Sequence, residues 1–101
     1  MSLPAGLIAP MDRIAELCRQ YRVQELSVFG SASRGEMGPH SDIDLLVEFE
    51  PDAEIGLLEF ARLEMELADL FGHTVDPVSK RGLKPRIRPH VLSDAKLLYA
   101  A

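Results

Sequence analysis

Apolar positions in this chain fall into two periods, and the changes between them mark the elements. Met11, Ile14, Ala15, Leu17, Cys18 and Tyr21 recur at steps of three and four, the spacing of one helix face. A helix over about residues 10–22 follows, with Pro10 at its first position and residues 1–9 as a loose leader. Leu26, Val28 and Phe29 then predict a strand over residues 25–30. Residues 31–41 form a loop rich in Gly and Ser, with turn chemistry in Glu36-Met37-Gly38-Pro39-His40. A second strand spans residues 42–48. Its run Leu45-Leu46-Val47 is nearly continuous in apolar residues, as in a strand covered on both faces.

Beyond Pro51-Asp52 a second helix is predicted over about residues 54–71, with Gly72 as its C-cap. Its polar residues Glu59, Arg62, Glu66 and Asp69 share one narrow stripe, so the apolar arc covers roughly 240°, against the ~100° of an ordinary surface helix. Either a neighbouring helix or a protein partner has to cover the excess. Residues 73–78 read as a short third strand carrying Asp76. Pro77 cannot donate a ladder bond, which places that strand at an edge or at a strand end. Pro85 and Pro89 limit regular helix in the segment that follows. Val91, Ala95, Leu97 and Leu98 predict a last short helix reaching Tyr99. The fold class is therefore α+β (α/β): one domain over residues 1–101, with a small mixed sheet of three to four strands flanked by helices.

Composition changes this picture little. With 101 residues, 47% hydrophobic and 27% charged, the chain has the size and balance of one ordinary globular domain. It has no apolar run of membrane-spanning length and no signal-peptide pattern. The single cysteine, Cys18, has no internal disulfide partner and falls on the apolar stripe of the first helix, so it reads as a core residue. A cytoplasmic location is the expectation.

Charge changes the picture more. The net charge of −5 divides into −11 over residues 36–76, +5 over residues 77–101 and +1 over the rest. So acidic a middle argues against long nucleic acid lying across the domain, where phosphate contacts would dominate. It suits a divalent cation or a basic protein partner, although most of these acids need only be solvated surface. The bases Lys80, Arg81, Lys84, Arg86 and Arg88 read as solvated or partner-facing. His40 and His73 read as ordinary surface residues, and His90 belongs with the basic tail.

The candidate chemistry lies between Leu26 and Phe49, in L-S-V-F-G-S-A-S-R-G-E-M-G-P-H-S-D-I-D-L-L-V-E-F. Side chains alternate along a strand, so Asp42 and Asp44 project from one face. Two such carboxylates repel each other unless a cation lies between them, and hard cations such as Mg2+ prefer carboxylate oxygens and substrate phosphates. Gly30-Ser31 offers phosphates a backbone without Cβ, exposed N–H groups and a hydroxyl. Asp42 could instead cap a turn and Gly30 serve only chain reversal. Neither alternative explains Asp44 and Asp76 in apolar strands, where an unpaired charge is costly.

Gly30-Ser31, ten residues, Asp42-x-Asp44 and a later strand aspartate, Asp76, together resemble the nucleotidyltransferase superfamily that includes DNA polymerase β and the kanamycin nucleotidyltransferases. The short form G-S-x-x-R-G-x(5)-S-D-I-D-L-L-V resembles the minimal nucleotidyltransferases over about residues 10–100. The resemblance implies that Asp42, Asp44 and Asp76 are catalytic and hold two Mg2+ ions, about 3.5–4 Å apart in two-metal sites. It implies that Gly30, Ser31 and Arg34 bind the nucleotide, with ATP as substrate. Pro77, directly after Asp76, departs from the pattern, since a bend there would displace the third carboxylate. Members of the family commonly occur as antitoxins beside HEPN-type ribonuclease toxins, which implies such a toxin as partner and transfer of AMP to one of its tyrosines. Two alternatives stay open. One is a catalytically weak antitoxin that neutralises its toxin by complex formation. The other is nucleotidyl transfer to a small molecule, with a homo-oligomer supplying the wall that a second domain gives larger members of the superfamily.

Overall fold

The computed structural model describes residues 9–30, 33 and 42–101. Along the chain come α1 (Met11–Gln20), β1 (Val23–Phe29), β2 (Ile43–Phe49), α2 (Leu57–Phe71), β3 (Val75–Ser79), a 3-10 turn (Lys80–Gly82), α3 (Arg88–Asp94) and β4 (Lys96–Ala100). The strands form one sheet in the order β3-β2-β1-β4. β1 pairs antiparallel with both β2 and β4, and β2 pairs parallel with β3. Parallel neighbours need a crossover connection, and α2 supplies it. This is the mixed sheet flanked by helices that the sequence pattern predicts.

Local chemistry sets the element ends. Pro10 stands just outside α1, its carbonyl accepting the Ile14 N–H at 3.0 Å. The Gly56 N–H donates to the Glu59 carboxylate at the start of α2. Gly72 ends that helix in the left-handed region at φ 64°, as expected of a glycine C-cap. Pro77 does not bend β3. The Ile43 N–H donates to the Thr74 carbonyl at 3.0 Å, so Thr74 faces β2. Backbone direction alternates along a strand, so Asp76 and Val78 face β2 as well, and the Pro77 nitrogen turns to the open edge. The missing N–H therefore removes no ladder bond, and β3 runs on to Ser79.

The last element differs from expectation. The predicted helix stops at Asp94, Ala95 is extended at ψ 132°, and Lys96–Ala100 is a strand. Without it β1 would present an unpaired row of backbone groups, an arrangement that sheets avoid. β4 pairs along β1, and Ala101 adds an N–H bond to the Gln24 carbonyl at 2.8 Å.

Each sheet face has its own core. Ile43, Leu45 and Val47 point to one face, where α1 (Ile14, Leu17, Cys18) and α2 (Leu63, Leu67, Phe71) cover them. Leu46 points to the other, against Leu83 and Val91. β2 is thus covered on both faces, which accounts for its unbroken apolar run. Cys18 is 1% exposed, and burial pushes its thiol up to about 12. The wide apolar arc of α2 is only partly covered: Leu57, Leu58 and Met65 remain 88%, 64% and 68% exposed. No helix among the described residues is long and apolar enough to cross a membrane.

Candidate active site

The site begins where β1 ends. Gly30 adopts φ 68°, a conformation that L side chains rarely take. Its carbonyl accepts two bonds from Ser33, the N–H at 3.1 Å and the hydroxyl at 2.8 Å. Ser33 is itself 2% exposed, so these bonds satisfy a buried hydroxyl and tie Ser33 to the end of β1. Sequence reasoning did not single out Ser33, one of three serines in the Gly/Ser-rich stretch over residues 31–41. Ser31 and Arg34, the other expected nucleotide-binding residues, lie outside the described residues.

β2 starts beside this turn. Asp44 lies opposite Phe29 in the antiparallel ladder and opposite Asp76 in the parallel one. Adjacent strands are about 4.8 Å apart, so two acids in apolar strands meet as direct neighbours. Alternation adds Asp42 to the same face, which is the face of Leu46, opposite to α1 and α2. Asp42 and Asp76 are exposed and Asp44 is half-buried. A Cβ on Gly30 would sit 2.5 Å from Asp44 Oδ2. The carboxylate therefore occupies the space that any side chain at residue 30 would fill.

Asp42 has a partner that sequence reasoning missed: the Thr74 hydroxyl donates to its Oδ1 at 2.5 Å. The sheet thus brings Asp42, Asp44 and Asp76 to one face and one end, with Gly30 beside them. Their side chains do not close round one point. Among the described residues no three acidic, histidine or cysteine side chains form a metal-ligand group. Like charges opposite each other in a ladder are destabilising, and a cation between Asp44 and Asp76 would relieve that repulsion. The donor set, three hard carboxylates with two of them ladder partners, fits a divalent cation such as Mg2+.

The basic segment packs on the same sheet face through Leu83 and Val91, which meet Leu46. Lys80 pairs with Glu48 at 3.2 Å, and Arg88 donates to the Lys80 carbonyl at 3.3 Å. Arg81, Lys84 and Arg86 are exposed. An open, largely apolar hollow of about 620 Å³, lined in part by Phe49, Leu57, Phe60, Pro77 and Arg81, lies where β2 and β3 end. That is the opposite end of the sheet from the aspartates.

Comparison with known proteins identifies the family. Residues 11–98 match the family model for the nucleotidyltransferase domain. The protein adenylyltransferase MntA of Thermococcus cleftensis is 46% identical over 80 residues, 78% of each chain. A solved structure described as a minimal nucleotidyltransferase superposes with a TM-score of 0.73 at 44% identity, over 85% of this chain and 86% of that one. A toxin–antitoxin structure with AMP-PNP also gives 0.73, at 26% identity, over 90% and 73%. These matches show that the chain belongs to the nucleotidyltransferase domain family, in its minimal, MntA-type adenylyltransferase branch, and is a nucleotidyltransferase.

Proposed function

We propose that this chain is an antitoxin that transfers AMP from ATP to a tyrosine hydroxyl of a HEPN-type toxin, using Mg2+. One observation carries the reading: Asp44 and Asp76 meet across the β2–β3 ladder, with Asp42 on the same face and the Asp44 carboxylate packed beside Gly30. The MntA relative and the toxin–antitoxin structure with a nucleotide analogue support adenylyl transfer in that setting.

In this reading Asp42, Asp44 and Asp76 hold the cation, and Gly30, Ser31 and Arg34 bind the nucleotide phosphates. Bound there, Mg2+ would offset the charge of the triphosphate and of the leaving pyrophosphate and make the acceptor hydroxyl more acidic. The acceptor oxygen forms a bond to the α-phosphorus while the bond from that phosphorus to the bridging oxygen breaks. Pyrophosphate leaves, and the hydroxyl proton passes to a carboxylate or to water. Positioning and charge neutralisation carry most of such a reaction, which is why a small rigid sheet suffices to stage it. Incubation with the toxin, ATP and Mg2+ should add the mass of one or more AMP groups to the toxin. No mass gain, together with full neutralisation by Asp42→Asn, would refute the transfer reading.

The exposed stripe on α2 favours a second reading, neutralisation by masking alone. In that case Asp44→Ala leaves neutralisation intact, while charged substitutions at Leu57 and Met65 abolish it.

A further inference from the structure

Gly72 turns the chain out of α2 in the left-handed region, and the His73 N–H closes that turn on the Ala68 carbonyl at 3.2 Å. Thr74 follows and grips the start of β2 at two points. Its carbonyl accepts the Ile43 N–H at 3.0 Å, which sets the register of β2 against β3. Its hydroxyl donates to Asp42 Oδ1 at 2.5 Å across 32 positions of sequence, which sets the rotation of that carboxylate.

Asp42 needs such a restraint more than its neighbours do. It precedes the first residue of β2 and is exposed, whereas Asp44 lies inside the strand against Gly30. An exposed carboxylate on two free torsions spreads over several rotamers, and ordering it on binding opposes affinity. A neutral hydroxyl takes one of about four lone-pair sites of the carboxylate and leaves its charge intact for a cation.

We infer that Thr74 is a positioning residue, which pre-sets the Asp42 carboxylate for the divalent cation and the nucleotide. The inference rests on the active-site reading above and concerns affinity for the cation. The bond lies at the exposed surface, where folding depends on it little, so stability and binding can be read apart.

The experiment is calorimetric titration of the full chain with Mn2+ in the presence of α,β-methylene ATP, whose blocked bond prevents turnover. Wild type, Thr74→Val and Thr74→Ser are compared. Thr74→Val, which keeps the shape and removes the hydroxyl, should weaken Mn2+ binding about tenfold, the equivalent of about 1.4 kcal/mol and the scale of one hydrogen bond to a charged group. Thr74→Ser should restore affinity to within about twofold, with all three melting within about 2 °C of one another. In transfer assays Thr74→Val should raise the half-saturating metal concentration more than it lowers the rate at saturating metal. Wild-type or tighter affinity in Thr74→Val overturns the inference. So does an equal loss in Thr74→Val and Thr74→Ser, which would place the effect outside the hydroxyl. Those outcomes leave the active-site reading standing. A wild-type chain that binds no Mn2+ with the analogue overturns that reading and the inference with it.

Discussion

Replacing Gly30 with alanine tests the centre of the site, because two separate penalties meet there. The first is conformational: Gly30 sits at φ 68°, and holding an L residue in that region costs about 1–2 kcal/mol. The second is steric. The new Cβ would lie 2.5 Å from Asp44 Oδ2, where ordinary contact begins at 3.4 Å, so the carboxylate must retreat by about 0.9 Å. The backbone cannot give way easily, since Asp44 is paired on one side with Phe29 and on the other with Asp76. A reacting group misplaced by about 1 Å loses on the order of 100-fold in rate.

Gly72→Ala separates the two penalties. Gly72 has φ 64°, and an added Cβ there meets nothing within 4 Å. Both variants should melt lower by about 4–8 °C per kcal/mol of strain. Only Gly30→Ala should also lose AMP transfer, by about 100-fold, measured well below both melting points. If its rate stays within about threefold of that of Gly72→Ala, the carboxylate is not held where the reasoning requires.

Other perturbations probe other parts of the argument. Asp76→Asn removes one of two like charges opposed in the ladder, and should raise metal-free stability by a few tenths to about 1 kcal/mol while abolishing transfer; denaturant unfolding with and without Mg2+ checks the first half, and a less stable metal-free variant would contradict it. Leu57→Asp with Met65→Asp, on exposed positions, should change stability by no more than about 0.5 kcal/mol per site yet prevent co-elution with the proposed toxin partner in size-exclusion chromatography. Cys18, buried and with its thiol pushed up to about 12, should resist iodoacetamide at pH 8 until denaturant is added, and labelling at the rate of a free thiol would show that α1 does not close the core.

The sequence announced those features whose cause is local. Gly72 is a C-cap by its own backbone freedom, Cys18 lies on a helical stripe, and the alternation that unites Asp42 with Asp44 belongs to any strand. Pro89 limits α3 only at its start, because the second helical position has no N–H bond to lose. β4 was not legible in that way. Lys96-Leu97-Leu98-Tyr99-Ala100 has no period-two alternation and would suit a helix; the free edge of β1, about seventy residues upstream, makes it a strand. Thr74 was hidden for a related reason, since a threonine before an apolar strand carries no mark of the aspartate it will meet across the sheet.

The site therefore depends on relations between elements more than on any single motif. Gly30 and Asp44 meet through the antiparallel β1–β2 register, while Asp44 and Asp76 meet through the parallel β2–β3 register. α2 connects the strands of that second pair, and its buried residues Leu63, Leu67 and Phe71 seat it on the core. Its other side carries the exposed Leu57, Leu58 and Met65. One helix thus holds the third carboxylate in register from its inner face and offers an apolar stripe from its outer one. A charged substitution on the outer stripe should spare the register, since those side chains make no part of the core. A cavity at Leu67, fully buried, should loosen the crossover and so misplace Asp76 even where the toxin still binds. Loss of toxin binding and loss of transfer should therefore separate between the two faces of the same helix.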